Sequence, residues 1–390
     1  MKKLFWLLAI FIAALNLRPI ISSVAPLLGT MQSSLGMNAL TASLLTTLPV
    51  LCMGLFAPAA TALRDRWGLE RTIFVAMVLI TGATALRGVI TSVGVLVITA
   101  IVGGIGISLA GPLLSGFIKK YFPTKPGIVS VYSVSLTVGA SAASALSIPI
   151  FNRHDQSLSF TLAIWAILGI LALLMWLPLI GKKDQAANAV RSRLPLTNKR
   201  AILLTLFFGM MSSMFYSLTA WLSPIAQSLG YSKASAAMLL TVFTIIQIPV
   251  SMTLPSLVAK YGKRGFFLVA CSVSELIGII MLLLHMPMLP ATIFLGLGAG
   301  GLFPLALMLP IVETNTAQEA GAWSAMSQCG GYLIAAMGPL LIGGLYDFYG
   351  NFTVALVAML VIIMAMIVVQ LLLSKSPDSV RVAEGRGLSA

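Results

Sequence analysis

Acid is scarce in this chain. Ten Asp and Glu are spread over 390 residues, and only two histidines, His154 and His285, stand beside them. No His/Asp/Glu cluster and no nucleophile–base pair can be read from the sequence, so neither a metal site nor acid–base catalysis is expected. We expect no enzyme and no cofactor. The three cysteines, Cys52, Cys271 and Cys329, sit far apart inside apolar runs. That spacing fits neither a disulfide framework nor a zinc or redox motif. Charge of either sign is rare: 9% of residues are charged and 59% are hydrophobic. A soluble domain carries about 25% charged residues. The expected class is an all-α integral membrane protein, its long apolar runs pointing to helices rather than to a barrel.

What the chain has in abundance is apolar segments of spanning length. They fall near 4–28, 40–62, 72–90, 94–118, 127–150, 158–181, 200–224, 235–258, 265–285, 289–312, 320–343 and 352–374. The start, Met1-Lys2-Lys3 before an apolar run, imitates a signal peptide, but the run continues to a full span. It is read as an uncleaved first helix. The net charge of +14 has a pattern. All of the 24 Lys and Arg except Arg18, Arg87, Arg153 and Lys233 fall at the N-terminus, in the even-numbered loops or at the C-terminus. By the positive-inside rule both termini are cytoplasmic. The basic balance is a topology signal, and no nucleic-acid partner is needed to explain it.

The segments divide six and six around the longest loop, which is polar and basic. The expected units are a bundle at 1–181, a cytoplasmic linker at 182–199, a second bundle at 200–374 and a cytoplasmic tail at 375–390. The halves resemble each other. Ser34-Leu35-Gly36 recurs as Ser228-Leu229-Gly230, and Trp67-Gly68 as Tyr261-Gly262, both at an offset of 194. Gly104, Gly106 and Pro112 recur as Gly296, Gly298 and Pro304 at 192. Gly127, Ser130 and Ser133 recur as Gly321, Ser324 and Ser327 at 194. Four matches in order at a nearly constant offset indicate a parallel repeat. Two such halves related by an axis along the membrane normal describe the major facilitator architecture, with solute bound between them near the midplane.

The candidate site follows from cost. Arg18 lies at mid-span, where a cation costs at least about 2.5–3.5 kcal/mol unless it faces protein or water. Pro19 cannot donate to the carbonyl of Leu15, which frees a polar group at the same depth. At about 100° per residue, Arg18 shares a small, polar side with Ala14, Ser22 and Ala25. Asn16 lies nearly opposite, better placed for a helix–helix bond. An arginine gripping neighbouring carbonyls is the structural alternative. Tyr132, Tyr216, Gln247 and Gln328 are polar residues in other spans, able to bind solute or to join helices. Arg87 and Glu275 are buried charges, candidates either for coupling or for packing and snorkelling.

The loop Leu63-Arg64-Asp65-Arg66-Trp67-Gly68-Leu69-Glu70-Arg71 resembles the facilitator-superfamily signature that joins helices 2 and 3. It departs at Thr61, where Gly is usual, and at Leu69, where a basic residue is usual. Asp65, Arg66 and Gly68 are therefore the expected gating residues, with Asp65 bonding to the partner half and latching the outward-open state. Further, Asn16-Leu17-Arg18-Pro19, Ser23-Val24-Ala25-Pro26-Leu27-Leu28, Leu44-Leu45-Thr46-Thr47-Leu48-Pro49 and Gly296-Leu297-Gly298 through Pro304-Leu305 are similar to the cyanate/2-nitroimidazole transporter family. The resemblance covers most of the chain. It implies a secondary transporter of a small anion or small polar heterocycle in the bacterial inner membrane, working by alternating access. The expected partners are a small-molecule solute and membrane lipid, and a monomer is expected. A multidrug exporter is the alternative: Gly139 lacks the following proline typical of proton-driven drug antiporters, whereas Gly338-Pro339 keeps the idea open. A non-transporting sensor or enzyme is a third reading.

Overall fold

The computed structural model describes residues 2–37, 39–89, 92–181 and 194–374. Most of the linker expected at 182–199, and all of the tail expected at 375–390, lie outside the described residues. Among the described residues the regular structure is helical, with no strand. This is what a bilayer demands, because a helix satisfies its backbone groups within one segment.

Among the described residues, twelve helices are long and apolar enough to cross a membrane. They are α1 Lys3–Leu27, α2 Leu44–Trp67, α3 Leu69–Val89, α4 Val93–Tyr121, α5 Val129–Arg153 and α6 Leu158–Leu179 in the first half. The second half has α7 Lys199–Ser228, α8 Ser235–Tyr261, α9 Arg264–Leu283, α10 Met288–Val312, α11 Ala317–Tyr349 and α12 Thr353–Ser374. Several run past the apolar windows read from the sequence. α2 continues to Trp67 rather than 62, and α11 to Tyr349 rather than 343. Hydropathy marks where lipid would end, whereas the backbone bonds carry the helix on through polar turns.

Packing repeats with the sequence. In the first half α1 packs on α5 and α6, α2 on α4, and α3 on α4 and α6. In the second half α7 packs on α11 and α12, α8 on α10, and α9 on α10 and α12. The matched glycines make the matched approaches. A Cβ on Gly104 would lie 2.7 Å from the Cα of Pro49 in α2, and one on Gly296 would lie 3.0 Å from the oxygen of Phe243 in α8. Pro49 and Phe243 are themselves 194 residues apart. Close backbone approach of this kind is how helices gain contact where lipid supplies no hydrophobic drive.

One feature of the repeat is inverted. At the basic-loop end, Glu70 of α3 accepts from Lys120 Nζ at 2.8 Å and from the Tyr121 hydroxyl at 2.7 Å, both at the end of α4. The matching position in α9 is Arg264, which pairs with Glu313 just past α10 at 2.7 Å. Arg200 adds a second cation on Glu313. The acid has moved from one helix of the pair to the other, and the ion pair is kept.

The halves meet along α2 and α11, α4 and α11, and α5 and α8. Neither α1 with α7 nor α2 with α7 forms a packed pair among the described residues. Close approaches between the halves at the basic-loop end include Gly116 beside the Ala317 oxygen and Gly127 beside Ser256.

Candidate functional site

Pro19 does break α1. The helix that starts at Lys2 ends at Leu17; Arg18 caps a short turn, Pro19–Ser22, and a 3-10 turn follows at Ala25–Leu27. The Leu15 carbonyl, deprived of its donor by Pro19, is turned toward α5. A Cβ on Gly139 would lie only 2.3 Å from that oxygen, so glycine is the residue that fits there.

The break displays Arg18 between the halves. Its Nη1 donates to the hydroxyl of Tyr216 in α7 at 3.4 Å. Its guanidinium carbon stands 5.8 Å from the ring centroid of Phe303 in α10. Tyr132 of α5 and Tyr332 of α11 are within electrostatic range. Arg18, Ser22, Tyr216 and Phe303 are each only partly buried, whereas Tyr132 and Tyr332 are buried. The Tyr132 hydroxyl donates to the Gly111 carbonyl at 3.4 Å, and Tyr332 sits edge-on to Phe208. The result is one cation of the first half that meets a phenol hydroxyl and an aromatic ring of the second, and among the described residues no carboxylate pairs with it.

The other candidates make contacts of their own. Asn16 is buried and its Nδ2 lies 3.7 Å from the sulfur of Met77 in α3. Gln247 donates to the Phe243 carbonyl of its own helix at 3.0 Å. Gln328 donates to Ser324 Oγ at 2.9 Å, and Ser324 donates to Ser115 Oγ of α4 at 3.2 Å. Gln328 thus belongs to a polar seam between α11 and α4. Neither Arg87 nor Glu275 snorkels, since both are buried within their own halves. Arg87 Nη1 donates to the Ile20 carbonyl at 2.6 Å. Glu275 lies along α10, where Gly298 makes room for its Cγ, and its Oε2 has no hydrogen-bond partner.

At the basic-loop end the crossing residue is Arg64. Its Nη1 donates to the carbonyl of Gln318 in α11 at 2.9 Å. Asp65 Oδ1 accepts from Arg64 Nε at 3.0 Å and so steadies that side chain rather than touching the partner half itself. Arg66 is exposed, and Gly68 turns the chain into α3 at φ +87°. A second crossing bond runs from Lys119 Nζ to the Ile311 carbonyl at 2.8 Å.

Tyr332, Phe303 and Arg64 were not singled out by the sequence. Aromatic residues inside apolar runs look like core, and nothing local tells which of two arginines flanking Asp65 faces the partner half.

The family profile described as Major Facilitator Superfamily matches residues 6–311 and 201–388. An uncharacterized transporter of Bacillus subtilis, YycB, is 32% identical over 369 residues, 93% of this chain and 92% of that one. The 2-nitroimidazole transporter of Escherichia coli is 31% identical over 376 residues, 93% of this chain and 94% of its own length. The cyanate transport protein CynX of the same species is 30% identical over 353 residues, 89% and 91% respectively. Among solved structures, the E. coli fucose:proton symporter FucP shares the fold with a TM-score of 0.75 at 12% identity, over 96% of this chain and 98% of that chain. Twelve spans among the described residues, in two repeated bundles, and these likenesses agree: the chain is a multi-pass membrane transporter and a member of the major facilitator superfamily.

Proposed function

We propose that this protein moves a small anion or small polar heterocycle across the bacterial inner membrane by alternating access, with Arg18 as the residue that recognises it. The carrying observation is the aromatic frame around Arg18, which offers a planar fork of donors and no competing carboxylate. Such a fork, in a cavity of low dielectric, favours a flat acceptor group. The names of the relatives, cyanate and 2-nitroimidazole transporters, fit that chemistry. Phe303 and the tyrosines add faces against which a small planar solute can stack.

With the basic loops in the cytoplasm, the contacts of Arg64, Lys119 and the Ser115–Ser324–Gln328 seam close the inner end, and the cavity opens outward. Gly68, Asp65 and Arg66 then belong to the hinge and latch of that closure. An anion entering against an inside-negative potential faces about 2.3 kcal/mol per charge per 100 mV. Exchange, export or passage of a neutral form avoids that cost.

Counterflow in proteoliposomes tests the reading. Vesicles preloaded with unlabelled solute should take up labelled cyanate or 2-nitroimidazole, and should ignore a bulky cationic drug. Uptake of the drug with neither small solute moving would refute the proposal in favour of a multidrug carrier.

A further inference from the structure

The break in α1 leaves a carbonyl that its own helix does not satisfy. A regular helix would bond the Val24 N–H to the Ile20 oxygen. Here Val24 donates instead to Ile21, at 3.2 Å. The donor that reaches the Ile20 oxygen is Arg87 Nη1 of α3, at 2.6 Å. Arg87 Nε in turn donates to Thr99 Oγ1 of α4 at 3.2 Å, and Thr99 donates to the Leu96 carbonyl at 2.9 Å. Both residues are buried, Arg87 at 0% and Thr99 at 1% exposure. No carboxylate pairs with Arg87 among the described residues. Ile20 is also wedged on α4, where a Cβ on Gly103 would lie 2.3 Å from its Cδ1.

An arginine is a costly donor for one carbonyl, because a buried cation must be desolvated. What it offers is length and a rigid fork: one nitrogen is anchored on α4 while another reaches across to α1. We propose that Arg87 is a positioning residue for the solute site. It replaces the backbone donor missing at Ile20, keeps the short helix Pro19–Ser22 from continuing regularly into the 3-10 turn at Ala25–Leu27, and so fixes on α4 the short helix that Arg18 caps. The clamped carbonyl is only two residues beyond Arg18. The consequence for solute rests on the reading of Arg18 given above; the consequence for the shape of α1 does not.

The test therefore has two arms. In a background lacking Cys52, Cys271 and Cys329, Ser22→Cys reports on the break through its rate of labelling by a small charged methanethiosulfonate in proteoliposomes. Uptake of labelled cyanate is measured separately with Ser22 intact. Arg87→Met should change the labelling rate by about tenfold and raise KM by about tenfold with kcat little altered, the scale of one lost charge-assisted bond. Arg87→Lys should recover most of both, since an ammonium can still donate to the carbonyl. Wild-type labelling and KM in a folded Arg87→Met protein would overturn the proposal, as would a Lys variant no better than Met. Should the Met variant fail to assemble, Thr99→Val removes only the hydroxyl that orients Nε. It should shift labelling about two- to threefold in the same direction, and unchanged labelling would refute the clamp. If the wild-type protein moves neither cyanate nor 2-nitroimidazole while labelling responds to Arg87, the functional reading fails and the clamp stands.

Discussion

Arg18 directs its donors at a phenol hydroxyl and an aromatic face. Glu275 is its counterpart in cost: a carboxyl that is 1% exposed, with one oxygen unpartnered, inside the other half. The two are not a pair. No salt bridge joins them, and Glu275 lies on α9 against Gly298 of α10. The expectation is that transport is not driven by a proton carried on Glu275. In vesicles with the voltage clamped, an imposed pH gradient should not concentrate the solute, and Glu275→Gln should leave flux near the wild-type rate. Concentrative uptake that follows the gradient and vanishes in Glu275→Gln would make Glu275 the coupling site. At this scale the sequence was only partly legible. Arg18 stood out because a mid-span charge is expensive. Tyr332 and Phe303 did not, because an aromatic side chain in an apolar run carries no local mark of facing a cavity. Asn16 was ambiguous for a related reason. It is two residues from Arg18, so helical geometry places it on another face, and the structure sets it against Met77.

At the scale of elements, α1 is shaped by what it lacks. Pro19 withholds a donor from Leu15, and Val24 withholds one from Ile20. Gly139 of α5 makes room for the first carbonyl, and Arg87 of α3 bonds the second. The break itself was readable from Pro19. Its supports were not, since Gly139 and Arg87 are more than 65 residues away and only the packing of α1 against α3, α4 and α5 brings them together. Helix ends were also misread, as hydropathy ends before the backbone bonds do. Gly139→Ala is the sharpest probe of this element. The new Cβ would meet the Leu15 oxygen at 2.3 Å, and backbone has little room to yield. A loss of about 1–3 kcal/mol is expected from such overpacking, visible as a lowered Tm in detergent. A Gly139→Ala protein as stable as wild type would mean that α1 and α5 are not held as described.

At the scale of the whole molecule, the six-plus-six repeat was legible because it is written twice, in glycines and serines at offsets of 192 and 194. The closure between the halves was less so. The facilitator-like loop pointed to Asp65, whereas the bond that crosses is made by Arg64, with Asp65 steadying it. Asp65→Asn should weaken that support and move the resting population away from closure at the basic-loop end, by about 1–3 kcal/mol if charge-assisted bonds are lost. Arg64→Ala should do so more strongly. Spin-label distances between the far ends of α1 and α7 would shorten in both variants; unchanged distributions would count against the latch. Closure, however, serves the site, and the central claim is that Arg18, framed by residues of both halves, recognises a small anion or polar heterocycle. The most direct measurement is equilibrium binding of labelled cyanate and 2-nitroimidazole to purified wild-type protein and to Arg18→Ala, with folding of each checked by thermal unfolding. The account predicts saturable binding of at least one of these solutes to the wild type, none to Arg18→Ala, and little to Arg18→Lys, whose ammonium lacks the planar fork. Wild-type affinity in a folded Arg18→Ala protein would contradict it.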